Sequence, residues 1–304
     1  MPLSSNLRGS LFMAAAMATF TANDTITKAV SAELNIGEIL LVRGVVAMVL
    51  VAALAWYRDA LRSFGALLIW PVGLRVIGEI GGTLTYLSAI SQIPLANASA
   101  SFQALPLVIT LGAALVFGEP VGWRRWLAIA AGFIGVLVIV RPGAEGFNQA
   151  ALLALASVGF CTVRDLATRR IPKDLPTVFI TLLTTVTVTT AGAAVLVPLG
   201  GWRPPSGQAL GLLTFAAVLI LIGYQCIIVS LRTGDISAVA PFRYTALLWA
   251  MLTGYLTFGH KPDGAMLAGA TIIVASGLYA FYRERKRDKL RPAATGPGLP
   301  PDGL

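Results

Sequence analysis

The chain has 304 residues, 56% of them hydrophobic and only 12% charged, about half the charged share of an ordinary soluble domain. That balance excludes a soluble globular protein and points to an integral membrane protein. The net charge of +9 does not indicate nucleic acid, because the basic residues flank apolar stretches and form no aromatic-interleaved basic face.

With about 20 residues per crossing, the apolar stretches predict ten membrane-spanning helices at residues 9–29, 37–57, 71–92, 95–117, 123–140, 148–169, 177–197, 208–231, 236–258 and 264–282. Turn chemistry separates them: Pro71, Pro94, Gly118-Glu119-Pro120, Pro142-Gly143, Pro172 to Pro176, Pro204-Pro205, Gly234-Asp235 and Lys261 to Gly264. Span 1, with Arg8 ahead of LFMAAAMA, imitates a secretory signal peptide. It is expected to be retained, since the repeat described below needs it as the partner of span 6.

Polar residues inside the spans carry the functional signal. In span 2, Arg43 lies roughly 9 Å from the outer start at 1.5 Å per residue. It either reaches the headgroups or pairs with Asp24 or Glu38, or it faces a cavity and neutralises a substrate carboxylate or phosphate. In span 3, Glu79, Thr83 and Tyr86 fall at i, i+4 and i+7, one polar stripe that should face the bundle. Arg75, four residues before Glu79, can form a local salt bridge with it or contact substrate. Glu79 and Asp24 are the candidates for proton coupling. Span 4 adds Ser99, Gln103 and Pro106, the proline bending the helix beside a cavity.

In span 6, Arg164 and Asp165 read as a topology or gate element, and the threonines of span 7 (Thr177, Thr181, Thr184, Thr185, Thr189) as helix packing. Tyr224 and Gln225 in span 8, and Arg243 and Tyr244 in span 9, complete the candidate substrate contacts. Trp56, Tyr57, Trp70, Trp123, Trp126 and Phe281, near span ends, are expected as interfacial anchors. Cys161 and Cys226 lie in separate apolar runs and read as packing residues, and His260, the single histidine, as part of an outer loop. There is no HExxH, aspartate-rich or Walker motif, so no catalytic residue, metal or cofactor is expected and an intramembrane lipid-modifying enzyme is the weaker reading.

Lysine and arginine concentrate on one side of these spans, at Arg8, Arg58, Arg62, Arg124, Arg125, Arg169, Arg170, Lys173, Arg232 and the run from Arg283. That asymmetry predicts cytoplasmic N- and C-termini. The tail, residues 284–304, opens as a basic cluster that anionic lipids would attract and ends in a Pro/Gly-rich stretch expected to be disordered.

Sliding the chain against itself lays FGEP (117–120) on FGHK (258–261) and IPLANAS (93–99) on GDISAVA (234–240), both at an offset of 141 residues. The register divides the ten spans into five plus five, residues 1–143 and 144–283. Five is odd, so the second repeat enters the membrane inverted, the architecture of secondary transporters with a central site.

The stretch from Ser88 to Pro142 resembles the EamA unit of the drug/metabolite transporter superfamily, through the turn after span 3, Pro106, Gly118-Glu119, and Gly132 and Gly135 in span 5. The second repeat departs from it, with His260 in place of the glutamate and Leu247 in place of the proline. The resemblance extends over residues 8 to 283 and implies an all-α, ten-helix transporter of the inner membrane that works by alternating access. Amino acid export is the expected activity, since guanidinium and carboxylate together complement a zwitterion. A carrier of an anionic cofactor or nucleotide-like metabolite, or of toxic compounds, is the alternative.

Overall fold

The computed structural model describes residues 5–57, 69–118, 122–141, 149–168, 170–172, 177–233 and 239–290, and every regular element among them is helical. The first repeat contains α1 (Ser5–Val30), α2 (Ile36–Tyr57), α3 (Trp70–Gln92), α4 (Leu95–Phe102), α5 (Leu105–Phe117) and α6 (Trp123–Val140). The second contains α7 (Gln149–Thr168), α8 (Thr177–Leu196), α9 (Gly207–Thr233), a 3-10 turn (Ala240–Tyr244), α10 (Thr245–Phe258) and α11 (Gly264–Leu290).

The fourth crossing is split into α4 and α5 because Pro106 has no N–H to give the Phe102 carbonyl and its ring crowds that carbonyl. The ninth crossing is also split, but by the 3-10 turn that opens with Pro241, and not by a proline at the position of Leu247. α11 runs on to Leu290, so the first residues of the tail are helical; residues 291–304 lie outside the described part, as do the predicted turns at Glu119-Pro120, Pro142-Gly143, 173–176 and Gly234-Asp235.

The repeat is visible in the backbone. α5 ends at Gly118 with φ 64° and α10 at Gly259 with φ 68°, left-handed glycine caps 141 residues apart. α2 and α8 begin at the same offset, and so do α6 and α11. The main helix pairings join the repeats: α1 packs on α9 as α7 packs on α3, α2 on α8, α6 on α11 and α4 on α10. The α1–α9 and α7–α3 pairs exchange with each other, and α2 on α8 and α6 on α11 each map onto themselves, when the repeats are exchanged, as a two-fold axis requires. With five crossings per repeat the axis lies in the membrane plane.

Glycines set the closeness of these pairs. A Cβ on Gly78 of α3 would stand 2.7 Å from the Phe160 carbonyl oxygen and Arg164 nitrogen of α7. Gly135 and Gly269 hold α6 and α11 at backbone contact in the same way, a Cβ on either meeting the other's carbonyl at 2.8 and 2.6 Å.

α2, α4 with α5, α7, α8 and α9 have the length and apolarity of membrane spans, whereas α6 and α11 contain shorter apolar segments. Trp56, Tyr57, Trp70, Trp123 and Trp126 are exposed at helix ends, where headgroups would surround them.

Leu40, Leu87, Ile90, Leu95, Ala98 and Ala250 form a buried apolar cluster from both repeats. Beside it the buried Lys28 donates to the carbonyls of Ile90 (2.5 Å) and Ile93 (2.8 Å) at the end of α3, with its ammonium 5.4 Å over the Phe258 ring. Asn35 and Glu38 form a reciprocal cap at the start of α2. Glu38 also accepts from the Arg203 amide, and Glu33 binds Ser206, tying the α1–α2 turn to the segment before α9. Arg141 and Asp263 pair at 2.5 Å.

Candidate functional site

A cavity of about 300 Å3 opens between α1, α2 and α3 of the first repeat and α7, α8 and α9 of the second, with Phe102 of α4 also lining it. Arg43 turns into this space. It is 8% exposed, so it does not reach for the headgroups. Its Nη1 donates to the Asn23 Oδ1 (3.1 Å) and Thr27 Oγ1 (3.3 Å) of α1. Glu38 is committed to the loop amides. Asp24 also stands apart from the guanidinium: its Oδ1 accepts from the Asn23 amide (2.9 Å) and its Oδ2 from the Tyr86 hydroxyl (3.1 Å).

Two ring pairs stand in the same space. Tyr86 packs on Phe102 with centroids 5.1 Å apart, and Phe20 meets Tyr224 edge to face at 5.3 Å. Edge-to-face and tilted pairs keep ring faces available for a third aromatic system. Tyr224 is 45% exposed because its ring borders the open cavity.

At the start of α3 the polar end of the cavity is built around Glu79. Its Oε2 lies 3.9 Å from Arg75 and 3.6 Å from Arg164, and Arg164 Nε donates to Asp165 at 2.7 Å. Arg75 also donates to the hydroxyls of Thr168 (2.7 Å) and Thr184 (3.3 Å), with Thr181 and Thr185 nearby on α8. Three guanidinium groups line the cavity, and Asp24, Glu79 and the flanking Asp165 balance them.

Of the residues expected from the sequence, Arg43, Glu79, Thr83, Tyr86, Tyr224 and Asp24 share this cavity. The remainder stand elsewhere. Ser99 is buried on α4, and Gln103 sits at the α4–α5 break, where its amide N–H closes the α4 end on Ser99 and Ala100. Gln225, one residue after Tyr224, is carried around the helix to an exposed face. Arg243 is exposed because the 3-10 turn replaces the helix that would have aimed it inward. Tyr244 packs on α11, its hydroxyl filling the place of a Gly277 side chain.

Sequence reasoning missed Phe20, Asn23 and Phe102, whose residue types are unremarkable within a span. It placed Arg164 at a gate and the threonines of α8 in packing. Arg164, Thr181, Thr184 and Thr185 line the cavity, although Thr185 also satisfies its hydroxyl on the Thr181 carbonyl as expected. Among the described residues no group of three His, Cys, Asp or Glu side chains could hold a metal ion.

The family model described as "EamA-like transporter family" matches residues 7–141 and 148–282, one copy on each repeat. A riboflavin transporter of Vibrio cholerae is 30% identical over 294 residues, covering 93% of this chain and 96% of its own. An S-adenosylmethionine uptake transporter of Rickettsia prowazekii is 25% identical over 294 residues, with the same coverage of 93% and 96%. A solved crystal structure aligns with a TM-score of 0.63 at 19% identity, over 92% of this chain and 98% of that one, which is a likeness of fold. Two matched repeats make this chain a member of the EamA-like transporter family and a transporter, not an enzyme.

Proposed function

We propose that the protein carries a heteroaromatic, cofactor-sized metabolite of the flavin or adenosyl class across the membrane by alternating access. The observation that carries this is the presence of Phe20, Tyr86, Phe102 and Tyr224 in one cavity with the Arg75–Glu79–Arg164 cluster. A planar ring system would lie against the aromatic side chains, and a hydroxylated or charged tail would exchange hydrogen bonds with Glu79, Arg75, Arg164 and Thr184. Arg43 and Thr83 complete the proposed contacts. The volume is at the lower edge of the roughly 300–1,000 Å3 of small-molecule sites.

Amino acid export gives way to this reading on physical grounds. The Glu79 carboxylate that was to complement a zwitterion is already complemented by Arg75 and Arg164, and four aromatic side chains have no use for a small polar amino acid. The relatives reported above, for riboflavin and S-adenosylmethionine, favour the same solute class. The proposed setting is the inner membrane with both termini cytoplasmic, supported by the lysine and arginine asymmetry.

The test is exchange of radiolabelled riboflavin and S-adenosylmethionine in proteoliposomes containing the purified full chain. One of them should exchange, and Tyr224→Ala and Arg75→Gln should each abolish flux while the protein still inserts. Exchange of amino acids alone would overturn the reading.

A further inference from the structure

The two carboxylates of the cavity have unlike surroundings. Glu79 stands within ion-pair distance of both Arg75 and Arg164. Asp24, half-buried in the same cavity, has no cation within that distance among the described residues; its partners are the neutral Tyr86 hydroxyl and Asn23 amide. Arg43 stands beyond ion-pair distance but near enough for its charge to act on the carboxylate, and Asn23 links the two by accepting from the guanidinium and donating to the carboxylate.

The repeat sharpens the contrast. Asp24 and Asp165 are 141 residues apart, the offset that also relates the Gly118 and Gly259 caps, so they hold the same position in the two copies. In both copies the preceding residue donates to the aspartate: Asn23 Nδ2 to Asp24 at 2.9 Å, and Arg164 Nε to Asp165 at 2.7 Å. One aspartate of the pair is therefore held by a permanent charge and its counterpart by a neutral amide. A carboxylate held by a guanidinium stays ionised, whereas a buried one with neutral partners can take up and release a proton as solvent access changes.

The structure assigns Asp24 as the proton-coupling residue of the carrier, with Glu79 and Asp165 as fixed charges. This deepens the transport reading and rests on it. Asp24 takes a proton from hydronium on the side to which the cavity is open, leaving water as the carboxyl O–H bond forms, and on the other side that bond breaks as the proton passes to water and re-forms hydronium and the carboxylate. The titratable and charged groups that share the cavity with Asp24 are Arg43 of α2, Arg75, Glu79 and Tyr86 of α3, Cys161 and Arg164 of α7, and Tyr224 of α9. α4 contributes only Phe102 to the lining, and α10 contributes none of it.

Two measurements on the full chain test this. In proteoliposomes, an imposed proton gradient with the membrane potential clamped should drive accumulation of radiolabelled riboflavin against its own gradient. Asp24→Asn should lose that accumulation while gradient-free exchange remains measurable, and Asp24→Glu should restore it in part. Infrared difference spectra between acid and alkaline buffer, taken without any solute, should contain a protonated-carboxyl band that Asp24→Asn removes and Asp165→Asn keeps. Riboflavin exchange that ignores the proton gradient would overturn the coupling and leave the solute class standing. If riboflavin does not exchange at all, the flavin reading falls and the infrared result alone decides: loss of the band in Asp24→Asn supports the assignment, and its persistence there overturns it.

Discussion

Lys28 illustrates how much one side chain can do where α1 meets the end of α3. The last carbonyls of a helix lack intrahelical donors, and the helix end favours a cation; Lys28 meets both demands at α3 while its ammonium also covers the Phe258 ring of the second repeat. Lys28→Ala should cost about 1–3 kcal/mol, the range for lost hydrogen bonds to a charged group and stranded buried acceptors. A lowered melting temperature in detergent would register it, with the exposed Lys261→Ala unchanged as the control. In the sequence Lys28 is a single charge one residue inside the end of the first predicted span. Nothing local indicates that its partners lie 62 and 65 residues away. Arg43, Glu79 and Tyr86 were legible because an ionisable group or a polar stripe in an apolar span has few tolerable places to point. Asn23 and Phe20 were not, since only the neighbours brought by folding give them a role.

At the scale of helices, close packing sets the geometry of the charged cluster. Gly78 precedes Glu79 and brings α3 onto α7 at the turn that carries Arg164. Gly78→Ala would place a methyl against main-chain atoms that cannot swing aside, costing about 1–3 kcal/mol of overpacking and separating Glu79 from Arg164. Gly159→Ala, on the same pair of helices, meets nothing within 4 Å and should be neutral or stabilising by about 0.5–1 kcal/mol from helix propensity. Melting temperature and riboflavin exchange for the two variants check this, with both falling only for Gly78→Ala. Element positions were read closely from apolar run length and turn residues, and Pro106 announced the break between α4 and α5. The 3-10 turn of the ninth crossing had its signal in Pro241, six residues before Leu247, but the repeat drew attention to the Leu247 position and the span was read as one continuous helix carrying Arg243.

For the whole molecule, the decisive feature is that the main helix pairings run between repeats. The internal similarity of the sequence established two copies and their opposite sense, but not that each copy lends its first helix to the third helix of the other. If the chain is divided between residues 141 and 149, neither fragment should yield a monodisperse, protease-resistant species alone, whereas co-expression should recover riboflavin exchange. Two independently stable fragments would contradict the interlocked packing. The genetic unit of duplication is thus shorter than the cooperative unit of assembly: the boundary that homology draws across this polypeptide is one along which the protein cannot come apart.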